Sequence, residues 1–193
     1  MIDPNDPNYV PKDHRPLGIG LTVAAALLLI YACFSHRWLE NTQYRGTRFG
    51  FSLLSFEACM DGKCEGMSNF KMMAEARERK SDSASSAFAP MGLATLVLLG
   101  LSAIGLLVTA GIAIKKQRPD LRIAPTTVAL LGIMGALLTG CVFVATKPGG
   151  VGGVGVGLGF WAFGIGAVLG IAGAQMLNKV IKPIDPDLAV DAY

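Results

Sequence analysis

Four long apolar segments without a charged residue constrain this chain more than any other feature of its sequence. Each runs for about 18 to 25 residues, the length needed to cross a hydrocarbon layer about 30 Å thick. Inside lipid every backbone amide needs a partner within the chain, so such segments form helices. The sequence therefore predicts an all-α membrane protein, a bundle of four transmembrane helices over Leu17–Phe34, Pro90–Ile114, Pro125–Thr146 and Gly157–Leu177.

The composition agrees with a single membrane domain. The 193 residues are 52% hydrophobic and only 16% charged, and the net charge of +3 is not gathered into a patch, so nucleic acid is not an expected partner. Segment Leu17–Phe34 follows Lys12 and Arg15, as the apolar part of a signal peptide would. Its apolar stretch is too long for that and no small-x-small cleavage site follows, so we expect a retained anchor.

The short connections between the segments differ in positive charge, and this difference predicts the orientation. Connection 115–124 is basic, whereas connection 147–156 is mostly glycine and contains one lysine. Lysine and arginine in short loops favour the cytoplasmic side. Connection 115–124 and both tails, 1–16 and 178–193, are therefore expected in the cytoplasm, with loop 35–89 and the glycine-rich connection outside.

The basic connection is also expected to contact lipid. Each basic side chain near an anionic headgroup surface is worth roughly 1 kcal/mol. The residues predicted to make these contacts are Lys115, Lys116, Arg118 and Arg122.

Loop 35–89 is long enough to carry a small outer domain. Phe49, Phe51 and Leu53 alternate with other residues, which is the period of a half-buried strand. Asn69–Lys80 is rich in Met, Ala, Glu, Arg and Lys, all good helix formers. The loop therefore predicts a short β-sheet followed by a helix.

Two cysteines of this loop, Cys59 and Cys64, flank the turn signal Asp61-Gly62, which is consistent with a hairpin. In an oxidising compartment such a pair most simply forms a disulfide that staples the hairpin. Because the closed loop is short, the entropic gain is on the order of 2 kcal/mol. A redox-active pair and a pair of metal ligands are the alternatives, although no Cys-x-x-Cys is present.

Small residues recur four positions apart in three of the four segments, a spacing that lets helix backbones approach closely. Packing within one bundle is the main interpretation, and contact between subunits of an oligomer is the alternative. The residues are Gly20 and Ala24 in the first segment, Gly132, Ala136 and Gly140 in the third, and Gly166, Gly170 and Ala174 in the fourth.

The spans contain no acid, base or histidine. Proton relays and ion pathways normally require an ionisable group at depth, so a transporter or pump is not expected. The two histidines, His14 and His36, fall at opposite ends of the first segment, which disfavours haem ligation. We therefore expect no cofactor, no metal ion and no catalytic residue.

The outer-loop pattern resembles that of the claudin superfamily, which also includes peripheral myelin proteins and calcium-channel gamma subunits. Trp38 matches that family's tryptophan just after the first helix, and Leu53–Cys59 resembles its Gly-Leu-Trp-x-x-Cys segment, with Phe56 in place of the aromatic. Cys64 matches its second cysteine. The resemblance implies four helices with cytoplasmic ends and a disulfide in a small outer β-sheet, with Trp38 and Phe56 anchoring that sheet to the bundle.

The chain departs from that family in three ways. Its Gly-Leu-Trp is not intact, its cysteines are closely spaced, and its second outer loop is short and mostly glycine. The resemblance therefore gives no support for a charge-selective paracellular pore.

The resulting functional hypothesis is a non-enzymatic structural or accessory subunit with membrane lipids and other integral membrane proteins, or further copies of itself, as partners. The alternatives are a small membrane thiol-disulfide oxidoreductase that uses Cys59 and Cys64, and a channel formed by oligomerisation.

Overall fold

The computed structural model shows a helical bundle with a small antiparallel sheet at one end, which we call the sheet end. It describes residues 14–41, 47–60, 63–78, 85–115, 124–148 and 153–181. The helices are α1 (Arg15–Phe34), α2 (Asn69–Glu78), α3 (Phe88–Lys115), α4 (Pro125–Ala145) and α5 (Leu158–Ile181). The strands are β1 (Leu39–Asn41), β2 (Thr47–Phe51), β3 (Ser55–Met60), β4 (Lys63–Ser68) and β5 (Val154–Val156).

Four of these helices, α1, α3, α4 and α5, are long and apolar enough to cross a membrane, which by length and composition makes this a multi-pass membrane protein. They correspond to the four predicted segments. Prolines in the first turns of α1 and α4 fit there because the first amides of a helix have no intrahelical acceptor. The small sheet predicted for loop 35–89 is also present, and it contains five strands.

Small residues bring the helices together in two pairs, α1 with α5 and α3 with α4. A Cβ atom at Gly166 would lie 3.4 Å from the backbone oxygen of Ala25, and one at Gly132 would lie 3.2 Å from that of Leu98. Both glycines therefore allow a close backbone approach. The buried small residues of α4 and α5 include Gly132, Ala136, Gly140, Gly166, Gly170 and Ala174.

The small pair of α1 lies elsewhere. Gly20 and Ala24 are exposed, and a Cβ atom at Gly20 would have no neighbour within 4 Å. The prediction that they pack inside the bundle is wrong, because α1 is rotated so that Gly18, Thr22 and Ala25 face the bundle instead. Gly20 and Ala24 remain available only for the alternative, a contact with another chain.

The sheet has the strand order β4-β3-β2-β1-β5, with every neighbouring pair antiparallel. Strand β5 comes from the glycine-rich connection, which the sequence predicted only as a loop. It pairs with β1 through Leu39 opposite Val156, and it follows Gly153, whose φ of 77° favours glycine. The sheet therefore joins the first long loop to the connection between α4 and α5.

Several predicted features fall outside the described residues. These are most of both tails, the turn at Asp61-Gly62, and three of the four residues predicted to contact lipid, Lys116, Arg118 and Arg122. The fourth, Lys115, is exposed at the last residue of α3, at the end of the bundle opposite the sheet.

Candidate functional site at the junction of sheet and bundle

Trp38 is fully buried between the end of α1 and the start of β1. Its indole Nε1 donates a hydrogen bond of 2.6 Å to the backbone oxygen of Ala32. That oxygen belongs to the last turn of α1, where carbonyl groups have no intrahelical partner. The backbone N–H of Trp38 donates to Phe51 at 2.8 Å. One residue therefore caps the helix and, directly before β1, is bonded to β2.

The Trp38 indole also contacts the other side of the bundle. It stacks on Phe163 of α5 with ring centroids 5.5 Å apart, and it meets Phe143 of α4 edge to face at 6.1 Å. Glycine makes room for the ring, because a Cβ atom at Gly159 would lie only 2.8 Å from the indole Cδ1. The start of the sheet is thus packed against α4 and α5.

From Phe143 the aromatic contacts continue into the sheet. Phe143 stacks on Phe88 of α3 at 4.5 Å, Phe88 meets Phe51 of β2 edge to face at 5.7 Å, and Phe51 contacts Phe56 of β3 at 4.7 Å. Pairs of this kind are worth about 0.5–1.5 kcal/mol beyond their buried area. We call the whole set the aromatic cluster: Trp38, Phe49, Phe51, Phe56, Phe88, Phe143, Phe160 and Phe163.

The loop between β2 and β3 is fixed against α3 by backbone contacts. A Cβ atom at Gly92 would collide with the carbonyl oxygen of Leu53, so this position of α3 accommodates only glycine without a shift. The amide of Asn69 donates to the carbonyl oxygens of Ser52 and Leu53, each at 3.1 Å. Asn69 is fully buried and Leu53 is 1% exposed, so the hydrogen bonds from Asn69 hold a buried part of the loop in place.

The disulfide between Cys59 and Cys64 joins residues that face each other in the β3–β4 ladder, with Cα atoms 4.0 Å apart. Glu57 Oε1 lies 3.9 Å from the Cys59 sulfur. These three residues cluster closely enough to resemble a metal site, but disulfide sulfurs supply no thiolate ligands. Because Phe56 belongs to the same strand, the stapled hairpin is connected to the aromatic cluster.

The connection between α4 and α5 is tied to the same junction. Lys147 Nζ donates to the carbonyl oxygen of Val154 in β5. The backbone N–H of Gly157 donates to Trp38 at 2.9 Å, and that of Gly159 donates to Arg37 at 2.8 Å. The strand at this edge and the start of α5 are therefore positioned by the residues that follow α1.

The family resemblance named Trp38 and Phe56, and the strand pattern named Phe49 and Phe51. The structure places all four in the aromatic cluster. Sequence reasoning missed the phenylalanines contributed by α3, α4 and α5. Position along the sequence was the signal that could have found them, because each lies within about two turns of the end of a predicted helix that faces loop 35–89 or connection 147–156. The missed residues are Phe88, Phe143, Phe163, Gly92 and Lys147.

No protein-family model matches this chain, and no curated protein matches it either.

Proposed function

We propose that this chain is a non-enzymatic structural or accessory subunit of a membrane assembly. It packs laterally with partner membrane proteins and presents a disulfide-stapled sheet on the outer side. The observation that carries the proposal is the aromatic cluster, which makes one packed unit of the sheet and the ends of α1, α3, α4 and α5. A sheet held in this way keeps a fixed orientation relative to the membrane, as a docking subunit requires.

A distant relationship to the claudin superfamily is part of the proposal. It is supported by the arrangement that the resemblance implies, a small outer sheet with a disulfide, packed on four helices through aromatic residues. Trp38 lies at the sheet–bundle junction, Phe56 contacts Phe51 of the neighbouring strand, and Cys59 is bonded to Cys64 within the sheet.

The lateral contacts are proposed on the outward faces of the helices. These faces carry large apolar side chains, among them Leu131, Leu138 and Val168, which are 68%, 71% and 68% exposed. Such residues face lipid or another membrane protein. The exposed pair Gly20 and Ala24 is the place where a partner helix comes closest, because small residues admit another backbone.

The orientation is proposed from charge. Lys115 ends α3 at the end of the bundle opposite the sheet, next to the basic connection. We place this end in the cytoplasm, where basic residues contact anionic headgroups, and the sheet outside. The outer compartment then maintains the disulfide in its oxidised form.

The test is extraction of the tagged protein from its native membrane in a mild detergent, followed by a non-denaturing gel and mass spectrometry of co-migrating chains. We expect a stoichiometric larger assembly. Replacing Gly20 with leucine fills the open site on α1, so we expect the partner to be recovered in smaller amounts.

Gly164→Leu is the matched control. A Cβ atom at Gly164 also has no neighbour within 4 Å, but this glycine has no small residue four positions away in either direction. The control is expected to retain the partner. Recovery of the wild-type protein only as a lone species would remove the accessory-subunit proposal. Equal loss of the partner from both variants would remove the assignment of the contact to α1.

A further inference from the structure

Strand β4 forms an open edge of the sheet. In the order β4-β3-β2-β1-β5, among the residues that the structure describes, β4 pairs with β3 on one side only. Its burial pattern shows five exposed residues and one partly exposed residue. The unpaired N–H and C=O groups of such an edge are a template for another strand.

The ladder determines which backbone groups point to this edge. The N–H of Asn69 donates to the carbonyl oxygen of Leu54 at 2.8 Å, just before the first residue pair of the β3–β4 ladder. Hydrogen-bonded and non-hydrogen-bonded pairs alternate along an antiparallel ladder. Continuing that alternation directs the N–H and C=O groups of Cys64, Gly66 and Ser68 away from β3, toward the open edge.

The charges beside Cys64 select a partner for this edge. Lys63 and Glu65 are both exposed and, being two positions apart, lie on the same face of β4. When two copies of β4 run antiparallel about Cys64, Lys63 of each copy lies opposite Glu65 of the other. Opposite charges in this position stabilise a strand pair.

We propose that two copies of this chain associate through their β4 edges, in antiparallel register centred on Cys64. At this centre the outward N–H and C=O groups of the two Cys64 residues exchange two hydrogen bonds. A register centred on Glu65 would face two carboxylates at the twofold axis, and one centred on Gly66 would place Glu65 opposite Met67. Of these three registers, the one about Cys64 combines outward backbone groups with paired charges.

Charged residues on an edge strand usually prevent pairing with unrelated chains. Here the same two charges disfavour unrelated strands but favour a second copy. When two copies of Lys63-Cys64-Glu65 run antiparallel, each lysine lies opposite a glutamate. This inference goes beyond the proposed function, because it depends on the strand edge and not on lateral contacts of the helices.

The test uses the full-length disulfide-bonded protein in detergent micelles, where copies meet in any orientation, with mass measured by light scattering over a concentration series. Lys63→Glu and Glu65→Lys each place like charges opposite one another, and each is expected to weaken the dimer by about tenfold. The double variant with both changes restores opposite charges, so it is expected to recover the wild-type dissociation constant.

Three results would overturn the inference. A wild-type protein that stays monomeric across the concentration series excludes the dimer. A dimer that tolerates both Lys63→Glu and Glu65→Lys uses another surface. An edge occupied by a different protein, recovered in place of the second copy, excludes the homotypic pair.

Discussion

Replacing Trp38 with alanine should separate the sheet from the bundle. The side chain is fully buried, caps α1 through its hydrogen bond to Ala32 and touches Phe143, Phe160 and Phe163. Each of these contacts is lost at once, and Trp38 is the one aromatic residue among the described residues 35–41 that connect α1 to the sheet. The effect is therefore expected in the sheet, far from the opposite end of the helices.

The size of the effect follows from the contacts. Truncating a buried tryptophan to alanine costs about 3–5 kcal/mol, through lost burial and the cavity that remains. Trp38→Phe retains most of the ring but leaves the backbone oxygen of Ala32 without its donor. Leaving a buried acceptor unpaired costs about 1–3 kcal/mol, so Trp38→Phe should fall between the wild type and Trp38→Ala.

Hydrogen–deuterium exchange of the amides in β1 and β2 is the appropriate assay, because it reports local opening. At 1.4 kcal/mol per factor of ten, Trp38→Ala should accelerate exchange there by about 100- to 4,000-fold. Trp161→Ala is the matched control, since Trp161 lies at the same end but is 59% exposed, and it should change exchange by less than about fivefold. Equal exchange in Trp38→Ala and Trp161→Ala would refute the role of Trp38 as the anchor.

Three further variants probe the rest of the junction. Gly92→Ala should reduce the free energy of unfolding by about 1–3 kcal/mol because its Cβ meets a loop carbonyl, whereas Gly100→Ala, with open space around it, should not destabilise. The double change Cys59→Ser and Cys64→Ser should accelerate amide exchange in β3 and β4, consistent with a loss of about 2 kcal/mol, and leave α4 unchanged. Lys147→Met should accelerate exchange in β5 alone by about tenfold; unchanged β5 exchange would exclude its hydrogen bond as the tether.

The helices were predictable because a membrane imposes a length and an absence of charge that are visible without any tertiary contact. The disulfide was predictable from two cysteines beside a turn. Strand β5 was not, since it is three residues long and contains Gly155 between two valines, a pattern typical of a loop. It exists because it pairs with β1, and pairing between distant segments leaves no local signal.

The orientation of α1 was also beyond the sequence. Its small residues occur on more than one side, so Gly20 and Ala24 offered the same spacing that Gly18 and Thr22 provide. Only packing decides between the two pairs. Thr22 packs so closely against Gly173 of α5 that a Cβ atom there would collide with its hydroxyl, whereas Gly20 faces away from the bundle. The contacts within the aromatic cluster could not be predicted either, because the phenylalanines of α3, α4 and α5 are far apart in sequence.

The positions of the disulfide and the aromatic cluster follow from how burial changes across the sheet. Leu39 of β1 and Phe51 of β2 are 0% and 1% exposed, whereas the residues of β3 are mostly half-buried and those of β4 mostly exposed. Isolated hairpins are marginally stable in water. The β3–β4 hairpin buries the least apolar surface. Because packing restrains it weakly, the Cys59–Cys64 disulfide is what restrains this part of the chain. The sheet should therefore lose β4 first when the disulfide is removed, and lose β1 and β2 first when Trp38 is removed.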